Sequence, residues 1–358
     1  MRDSHFREKG YRRSMTFGTA YVYHPIYLEH DQPNHPENAR RLRRTLAVLE
    51  SEGVKDRLAL LEPRRATREE LLRVHTDRHI HRVREASERG GGNLDPDTYV
   101  GPRSHEAALM AAGGVLRAVE AVLAGEIANA FALVRPPGHH ATAQWAMGFC
   151  LFNNVAVAAH GALQEEEISR VFIADFDVHH GNGTASLFAE NPRVFYFSAH
   201  QHPYYPGTGS EDEVGHGAGL GTAVNVPLPA NVGDEGYARI FQSLVWPSVR
   251  RFNPDLILVS AGYDGHWDDP LAHMCLSLTG YAHISQELVA MANELCNGHI
   301  VFTLEGGYNL DALGYGVLNA FYALMGDETV VDPLGPAPRP ERPIDALLES
   351  LKDLHELD

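Results

Sequence analysis

Four short apolar runs in this 358-residue chain each stop at a cluster of glycine with histidine, aspartate or tyrosine. Ala130–Val134 leads into Arg135-Pro136-Pro137-Gly138-His139-His140, and Arg170–Ala174 into Asp175-Phe176-Asp177-Val178-His179-His180-Gly181-Asn182-Gly183. Leu256–Ser260 leads into Ala261-Gly262-Tyr263-Asp264, and Ile300–Leu304 into Glu305-Gly306-Gly307-Tyr308. Runs of this length and β-branched content, alternating with helical patterns, read as strands of a parallel sheet built from βαβ units. In such a sheet the carboxyl ends emerge on one edge, where ligands bind. A capped turn explains one such cluster; four of them point to one convergent site.

Two further strands are expected at Thr19–Tyr23 and Val194–Ser198. Helical periodicity covers Pro36–Ser51, Ser104–Ala124, Asn153–Leu163, Tyr237–Arg251, Leu278–Cys296 and Leu310–Met325. Pro36 inside the first helix and Gly53 beyond its end suit the usual capping asymmetry. Gly90–Gly92 and Gly207–Gly221 read as long surface loops, which in compact domains are more often functional than decorative. Asp332–Arg342 is proline-rich and reads as an extended arm before a last short helix. The expected organisation is an N-terminal arm (1–16), one α/β catalytic domain (17–326) and a C-terminal extension packed on it (327–358).

No apolar run approaches the ~20 residues needed to span a bilayer. The charged N-terminus has no apolar stretch behind it and does not read as a signal peptide. Three cysteines, Cys150, Cys275 and Cys296, argue against a disulfide framework and for a reducing compartment. The expectation is a soluble cytoplasmic protein with no membrane contact. The formal charge of −17 argues against direct nucleic-acid binding; it would attract basic partners such as polyamines or lysine-rich peptides, and serves solubility at least as well.

Asp175, Asp177 and His179 stand at i, i+2 and i+4, which in an extended segment places their side chains on one face. Asp177 and His179 can then reach one ion, and Asp264 from another strand end completes an Asp-His-Asp set. Three protein ligands with an open fourth position suit catalytic zinc, and the oxygen–nitrogen mixture also admits ferrous iron or cobalt. The adjacent pair His139 and His140 diverges too much to chelate one ion, but can flank a metal-bound water and move protons near neutral pH. Asp175 and Asn182 are the candidates to stand behind these imidazoles. Tyr308, between Gly307 and Asn309, can offer its hydroxyl to an oxyanion.

These stretches occur in order with His35-Pro36-Glu37 and Arg41, Gly148-Phe149-Cys150 with Asn153-Asn154, and Pro206-Gly207-Thr208-Gly209. The ordered series resembles the zinc-dependent histone deacetylase superfamily, in its class II-like branch of bacterial deacetylases and acetylpolyamine amidohydrolases, over roughly residues 17 to 326. The resemblance implies an arginase-like α/β fold, with a central parallel sheet flanked by helices and the active site at the strands' carboxyl ends. It implies zinc on Asp177, His179 and Asp264, His140 as general base and then acid, and His139 as its charged or electrostatic companion. Asp175 and Asn182 would support the two histidines, and Tyr308 would polarise the acetyl carbonyl.

The resemblance further implies a tunnel for an acyl-lysine stem lined by Gly148, Phe149 and Tyr205, with Asp97 holding the substrate backbone at the rim. It implies a structural potassium ion on Asp175, Asp177, His179, Ser198 and Ala199, and an inner cavity faced by Arg41. Leu271 stands where polyamine-selective relatives carry a glutamate, which tilts the expected substrate towards acetyl-lysine in a peptide or protein. An acetylated polyamine or other small amine is the alternative, and a homo-oligomer is compatible with the sequence. Two rival readings fit the residues less well. An arginase-type ureohydrolase would need two manganese ions, and Asp264-Gly265-His266-Trp267-Asp268 lacks the Asp-x-Asp such a site requires. A non-catalytic binder of acylated amines would be signalled by loss of the tyrosine or a ligand, and none is lost.

Overall fold

The computed structural model describes residues 17–357, so the N-terminal arm, residues 1–16, lies outside the described residues. Eight strands form one sheet: β1 (Phe17–Val22), β2 (Ala59–Leu61), β5 (Ile127–Ala132), β6 (Val171–Asp175), β7 (Val194–Gln201), β8 (Ala223–Leu228), β9 (Leu256–Ala261) and β10 (Ile300–Leu304). Between β2 and β5 the chain forms a small antiparallel hairpin, β3 (Gly92–Asn93) with β4 (Tyr99–Val100). The sheet order is β2-β1-β5-β10-β9-β6-β7-β8, and every pairing is parallel.

That order places the site. The chain leaves β5, builds β6, β7 and β8 outward, then returns with β9 and β10 to fill the gap between β5 and β6. The four runs whose ends carry the unusual residues are therefore the four neighbours β5-β10-β9-β6 in the middle of the sheet. The crevice at such a reversal of strand order, outside the carboxyl ends, is where this class of sheet binds ligands. Every residue of β6, β9 and β10 is buried, which is why these strands read as continuous apolar runs rather than alternating ones.

The helices are α1 (Arg40–Ser51), α2 (Arg68–Leu72), α3 (Asp77–Glu88), α4 (Ser104–Leu123), α5 (Asn154–Ala162), α6 (Asn182–Phe188), α7 (Asp234–Ile240), α8 (Trp246–Phe252), α9 (Leu278–Leu295), α10 (Leu310–Leu324) and α11 (Asp345–Leu354). Helices α1, α10, α9 and α7 pack in one row and α4 with α5 in another, enclosing the central strands. Among the described residues no helix is long and apolar enough to cross a membrane. All three cysteines are buried and unpaired.

Four local expectations are corrected. Helix α1 starts at Arg40, not Pro36, because the Asn38 side chain ties the preceding turn, accepting from Arg40 N at 3.0 Å and donating to the Pro36 carbonyl at 3.2 Å. Gly92, expected in a surface loop, begins β3. The helix expected over Tyr237–Arg251 spans α7 and α8 but contains a π turn at Phe241–Val245. Pro247, in the first turn of α8, has no N–H to continue an α-helical ladder into that turn. Strand β8 lies where no strand is expected, because Asn225 and Pro227 interrupt its pattern; proline is tolerated there because β8 is an edge strand.

The C-terminal segment folds back on the domain. Ile344, Leu348 and Leu351 are buried, and the Glu341 carboxylate accepts from Gly233 N at 3.1 Å and Gly236 N at 3.2 Å at the start of α7.

Candidate active site

Asp175 is the last residue of β6, and the chain turns immediately after it. Asp175 Oδ1 accepts from Asp177 N at 3.2 Å, and Asp177 Oδ1 accepts from His179 N at 2.9 Å. Two successive aspartate turns, rather than strand alternation, thus bring Asp177 and His179 together, which corrects the extended geometry read from their spacing. Asp264, after β9, joins them: His179 Nδ1 lies 3.1 Å from Asp177 Oδ1 and 3.2 Å from Asp264 Oδ2. One ligand atom from each of the three lies within 4.8 Å of the others, and all three residues are buried.

The remaining carboxylate oxygens are anchored by backbone. Gly306 N donates to Asp177 Oδ2 at 2.8 Å, and Val178 N donates to Asp264 Oδ1 at 3.0 Å. Asp264 Oδ2 is buried and, apart from the His179 ring nitrogen 3.2 Å away, has no hydrogen-bond donor. Burial alone would depress the His179 pKa, but hydrogen bonds to Asp177 and Asp264 outweigh it and lift it to about 10. A buried imidazole carrying a proton between two carboxylates is a donor set that a divalent cation fits by taking that proton's place. Two oxygens and one nitrogen suit zinc, and ferrous iron as well. Glycine is needed around it: a Cβ on Gly262 would stand 2.1 Å from Asp177 Oδ2, and one on Gly306 2.1 Å from Asp264 Oδ2.

The two adjacent histidines after β5 have opposite electrostatic settings. His139 Nδ1 donates to Asp175 Oδ2 at 3.1 Å, and His140 Nδ1 donates to Asn182 Oδ1 at 2.8 Å. Burial works against charge on His139, but Asp175 and Asp177 outweigh it and raise its pKa to about 10. Burial, reinforced by the charges of His139 and His179, drives His140 well below the ordinary histidine range. At neutral pH the pair therefore consists of an imidazolium and a neutral imidazole whose free lone pair is on Nε2. Glu305 supports the turn beneath them, accepting from Gly138 N at 2.6 Å and His139 N at 3.2 Å; burial pushes its carboxyl up to about 7.

Above these groups opens a cavity of about 310 Å³ lined by Asp97, Pro137, His139, His140, Gly148, Phe149, His179, Tyr204, Tyr205, Leu271, Gly306 and Tyr308. Every residue expected along the tunnel is in that lining. Gly148 and Phe149 both adopt left-handed backbone, with φ of 55° and 69°. Glycine is required at 148 because a Cβ would come within 2.3 Å of His140 Cδ2, and Phe149 is held by Thr98 Oγ1 accepting its N–H at 3.0 Å. Tyr205 lies edge-on to His140 and His179, at 5.1 and 6.1 Å between ring centroids. The Asp97 carbonyl accepts from His35 Nε2 at 3.0 Å.

Tyr308 is clamped between Phe149, 5.9 Å away edge-to-face, and the Arg41 guanidinium, 5.1 Å over its ring. Burial holds its phenol well above the ordinary tyrosine value, against the pull of Arg41, so it is a hydrogen-bond donor at neutral pH. Arg41 is fully buried; it donates to the carbonyls of Glu305 and Gly307 and, at 3.1 Å, to Glu37 Oε1. Ser198 lies opposite Asp175 across the β6–β7 ladder, with Ala199 next to it, and Ser198 Oγ pairs with His200 Nδ1 at 2.9 Å.

Several contributors were not assigned roles from the sequence. Glu37 and Arg135 form a fully buried, two-pronged ion pair under the site, with Tyr99 Oη and the Tyr27 carbonyl completing the Arg135 contacts. Tyr204 stacks on His179 at 5.8 Å and donates to the Leu271 carbonyl at 2.9 Å. Asp269 accepts from Tyr308 N at 2.7 Å. The available signal was their place inside or beside the quoted motifs; their partners are distant in the chain.

The chain is similar to known proteins over most of its length. The family model described as histone deacetylase domain matches residues 35–324. A probable deacetylase of Archaeoglobus fulgidus is 43% identical over 312 residues, covering 86% of each chain. The chloroplastic histone deacetylase 14 of Arabidopsis thaliana is 37% identical, over 92% of this chain and 82% of that protein. Among solved structures, the crystal structure of the HDA15 HD domain superposes with a TM-score of 0.87 at 37% identity, covering 95% of this chain and 94% of that one.

Proposed function

The chain belongs to the histone deacetylase family, and from that premise we propose that it is a zinc-dependent amidohydrolase removing acetyl or short acyl groups from lysine side chains or similar amines. The observation that carries this reading is the convergence on one cavity of a neutral histidine, a charged histidine, a tyrosine donor and His179, the member of the buried Asp177–His179–Asp264 group that lines it. Asp177, His179 and Asp264 hold the ion, which when bound supplies Lewis acidity and lowers the pKa of water. His140 Nε2 takes the proton of the attacking water and returns it to the leaving amine, its tautomer set by Asn182. His139, charged against Asp175, stabilises negative charge developing beside it. The Tyr308 hydroxyl donates to the acyl oxygen as it becomes an oxyanion.

Gly148, Phe149 and Tyr205 enclose the amine's stem, Leu271 gives the wall an apolar gate, and Asp97 meets the substrate at the mouth. A structural potassium ion on Asp175, Asp177, His179, Ser198 and Ala199 belongs to the same reading, as does an inner cavity bounded by Arg41. The apolar Leu271 favours an acetyl-lysine peptide over an acetylated polyamine. The test is kcat/KM of zinc-loaded protein on both substrates side by side. Preference for the peptide supports the Leu271 argument, preference for the polyamine assigns selectivity to the loops or a partner subunit, and turnover of neither overturns deacetylation and points to another acyl group or to a binding role. Tyr308→Phe and His140→Ala are each expected to cost about 10²–10³ in kcat with zinc retained; a variant at near-full activity refutes the role given to that residue.

A further inference from the structure

One carboxylate outside the metal triad and the histidine pair joins two sides of the pocket. Asp269 is 6% exposed. Its Oδ2 accepts from Tyr308 N at 2.7 Å and Asn309 N at 2.9 Å, while Oδ1 accepts from Leu271 N at 2.9 Å. The loop after β9, which carries Asp264 and Leu271, is thereby tied to the turn after β10, which presents Tyr308. The loop itself is braced from behind. Trp267 N donates to the Leu276 carbonyl at 2.9 Å, and Trp267 Nε1 to the carbonyl of Gly335 at 2.8 Å in the C-terminal segment.

The other restraints on Tyr308 come from Phe149 and Arg41. Phe149 and the Arg41 guanidinium limit how the ring turns, while the Gly307–Tyr308 peptide is gripped at both ends, its carbonyl by Arg41 Nε at 2.7 Å and its N–H by Asp269. A tyrosine hydroxyl sits at the far end of a rigid lever, so a small tilt of the peptide is magnified at the oxygen. Preceded by Gly306 and Gly307, this segment has little stiffness of its own, and Gly307 is in the left-handed region at φ 117°.

We propose that Asp269 is a positioning residue that sets the Tyr308 hydroxyl against the acyl carbonyl and keeps Leu271 in register with it. The inference rests on the reading that Tyr308 donates to the substrate. It adds to that reading a single carboxylate through which the gate and the carbonyl donor move together.

The test is Asp269→Asn in the full-length, zinc-loaded protein. Asparagine keeps the size but turns an amide N–H₂ towards a backbone N–H that needs an acceptor. On an acetyl-lysine peptide kcat is expected to fall about 10²-fold, the cost of misplacing a reacting group by ~1 Å, with KM within roughly threefold and zinc per chain unchanged. In a Tyr308→Phe background the same substitution is expected to cost less than about threefold, because the hydroxyl it positions is already gone. Hydrogen exchange of the amides across 305–311 is expected to accelerate while 171–181 keeps its protection.

Equal fold-losses with and without the Tyr308 hydroxyl, or unaltered exchange across 305–311, would overturn the proposal. If the wild-type protein turns over no acyl amine, that counts against the reaction, and the exchange comparison still decides whether Asp269 holds the Tyr308 turn. Should Asp269→Asn yield no folded protein, Asp269→Glu takes its place under the same criteria.

Discussion

Gly306→Ala probes how tightly the triad is built. Gly306 lies outside the left-handed region, so alanine is allowed by the backbone and the cost is purely steric. An added Cβ would stand 2.1 Å from Asp264 Oδ2 and 2.5 Å from Asp177 Oδ2, whereas real Cβ contacts are essentially never under 3.0 Å. The two oxygens must therefore recede by about 0.9 and 0.5 Å. Neither is free to do so. Asp177 Oδ2 accepts from Gly306 N itself at 2.8 Å, and the other oxygen of Asp264 is fixed by Val178 N at 3.0 Å. Displacing ligands on this scale is expected to weaken zinc retention roughly 10–100-fold, the usual cost of disturbing a ligand's support. Overpacking should also cost about 1–3 kcal/mol of stability. Zinc per chain after equilibration with a competing chelator, and turnover at saturating zinc, read the effect. Gly18→Ala, whose methyl meets nothing within 4 Å, is the control. A Gly306→Ala protein that holds zinc and turns over within twofold of wild type would refute the idea that these carboxylates close on one ion.

Glu37→Gln is expected to destabilise the protein by about 3–5 kcal/mol, because it leaves the fully buried Arg135 and Arg41 without their shared anion; a urea midpoint like that of wild type would contradict this. His75 gives a pH prediction. Its Nδ1 donates to the Thr142 carbonyl at 2.9 Å and its Nε2 accepts from Asn153 N at 2.9 Å, so only the neutral ring fits. Burial, then the neighbouring His79, lowers its pKa to about 3. The unfolded chain binds this proton below about pH 6.5 and the folded one only near 3, so its contribution is complete above 6.5 and is lost as pH falls through that window. His75→Gln should be less stable at pH 7 but lose up to roughly 4 kcal/mol less than wild type between pH 6.5 and 3. Parallel stability curves for the two proteins would show that His75 does not titrate in this way.

Much of the site was legible because its residues follow strands directly. Asp175, Asp177, His179, Asp264, His139, His140 and Tyr308 each stand within a few residues of a buried run, and the rule that parallel strands end on one edge brings them to one rim. The left-handed Gly148 and Phe149 were likewise marked by a motif. Less legible were the joints. The turns that fold Asp177 onto His179 depend on aspartate side chains capturing backbone N–H groups, which alternation along a strand does not anticipate.

Local order in the chain therefore determined which residues are the candidates for the chemistry, that they converge, and the parallel α/β class, since apolar runs and the chemistry of their ends are read within a few residues of one another. Only the tertiary structure decided that β10 and β9 lie between β5 and β6, that Glu37 meets Arg135 across 98 positions, and that Asp269 holds Tyr308 across 39. It also set the opposite charge states of His139 and His140. Those outcomes depend on which groups share a buried, low-dielectric space. Burial makes an unpaired charge or polar group costly, and its partner is whichever group the packing brings within reach, whatever the distance along the chain.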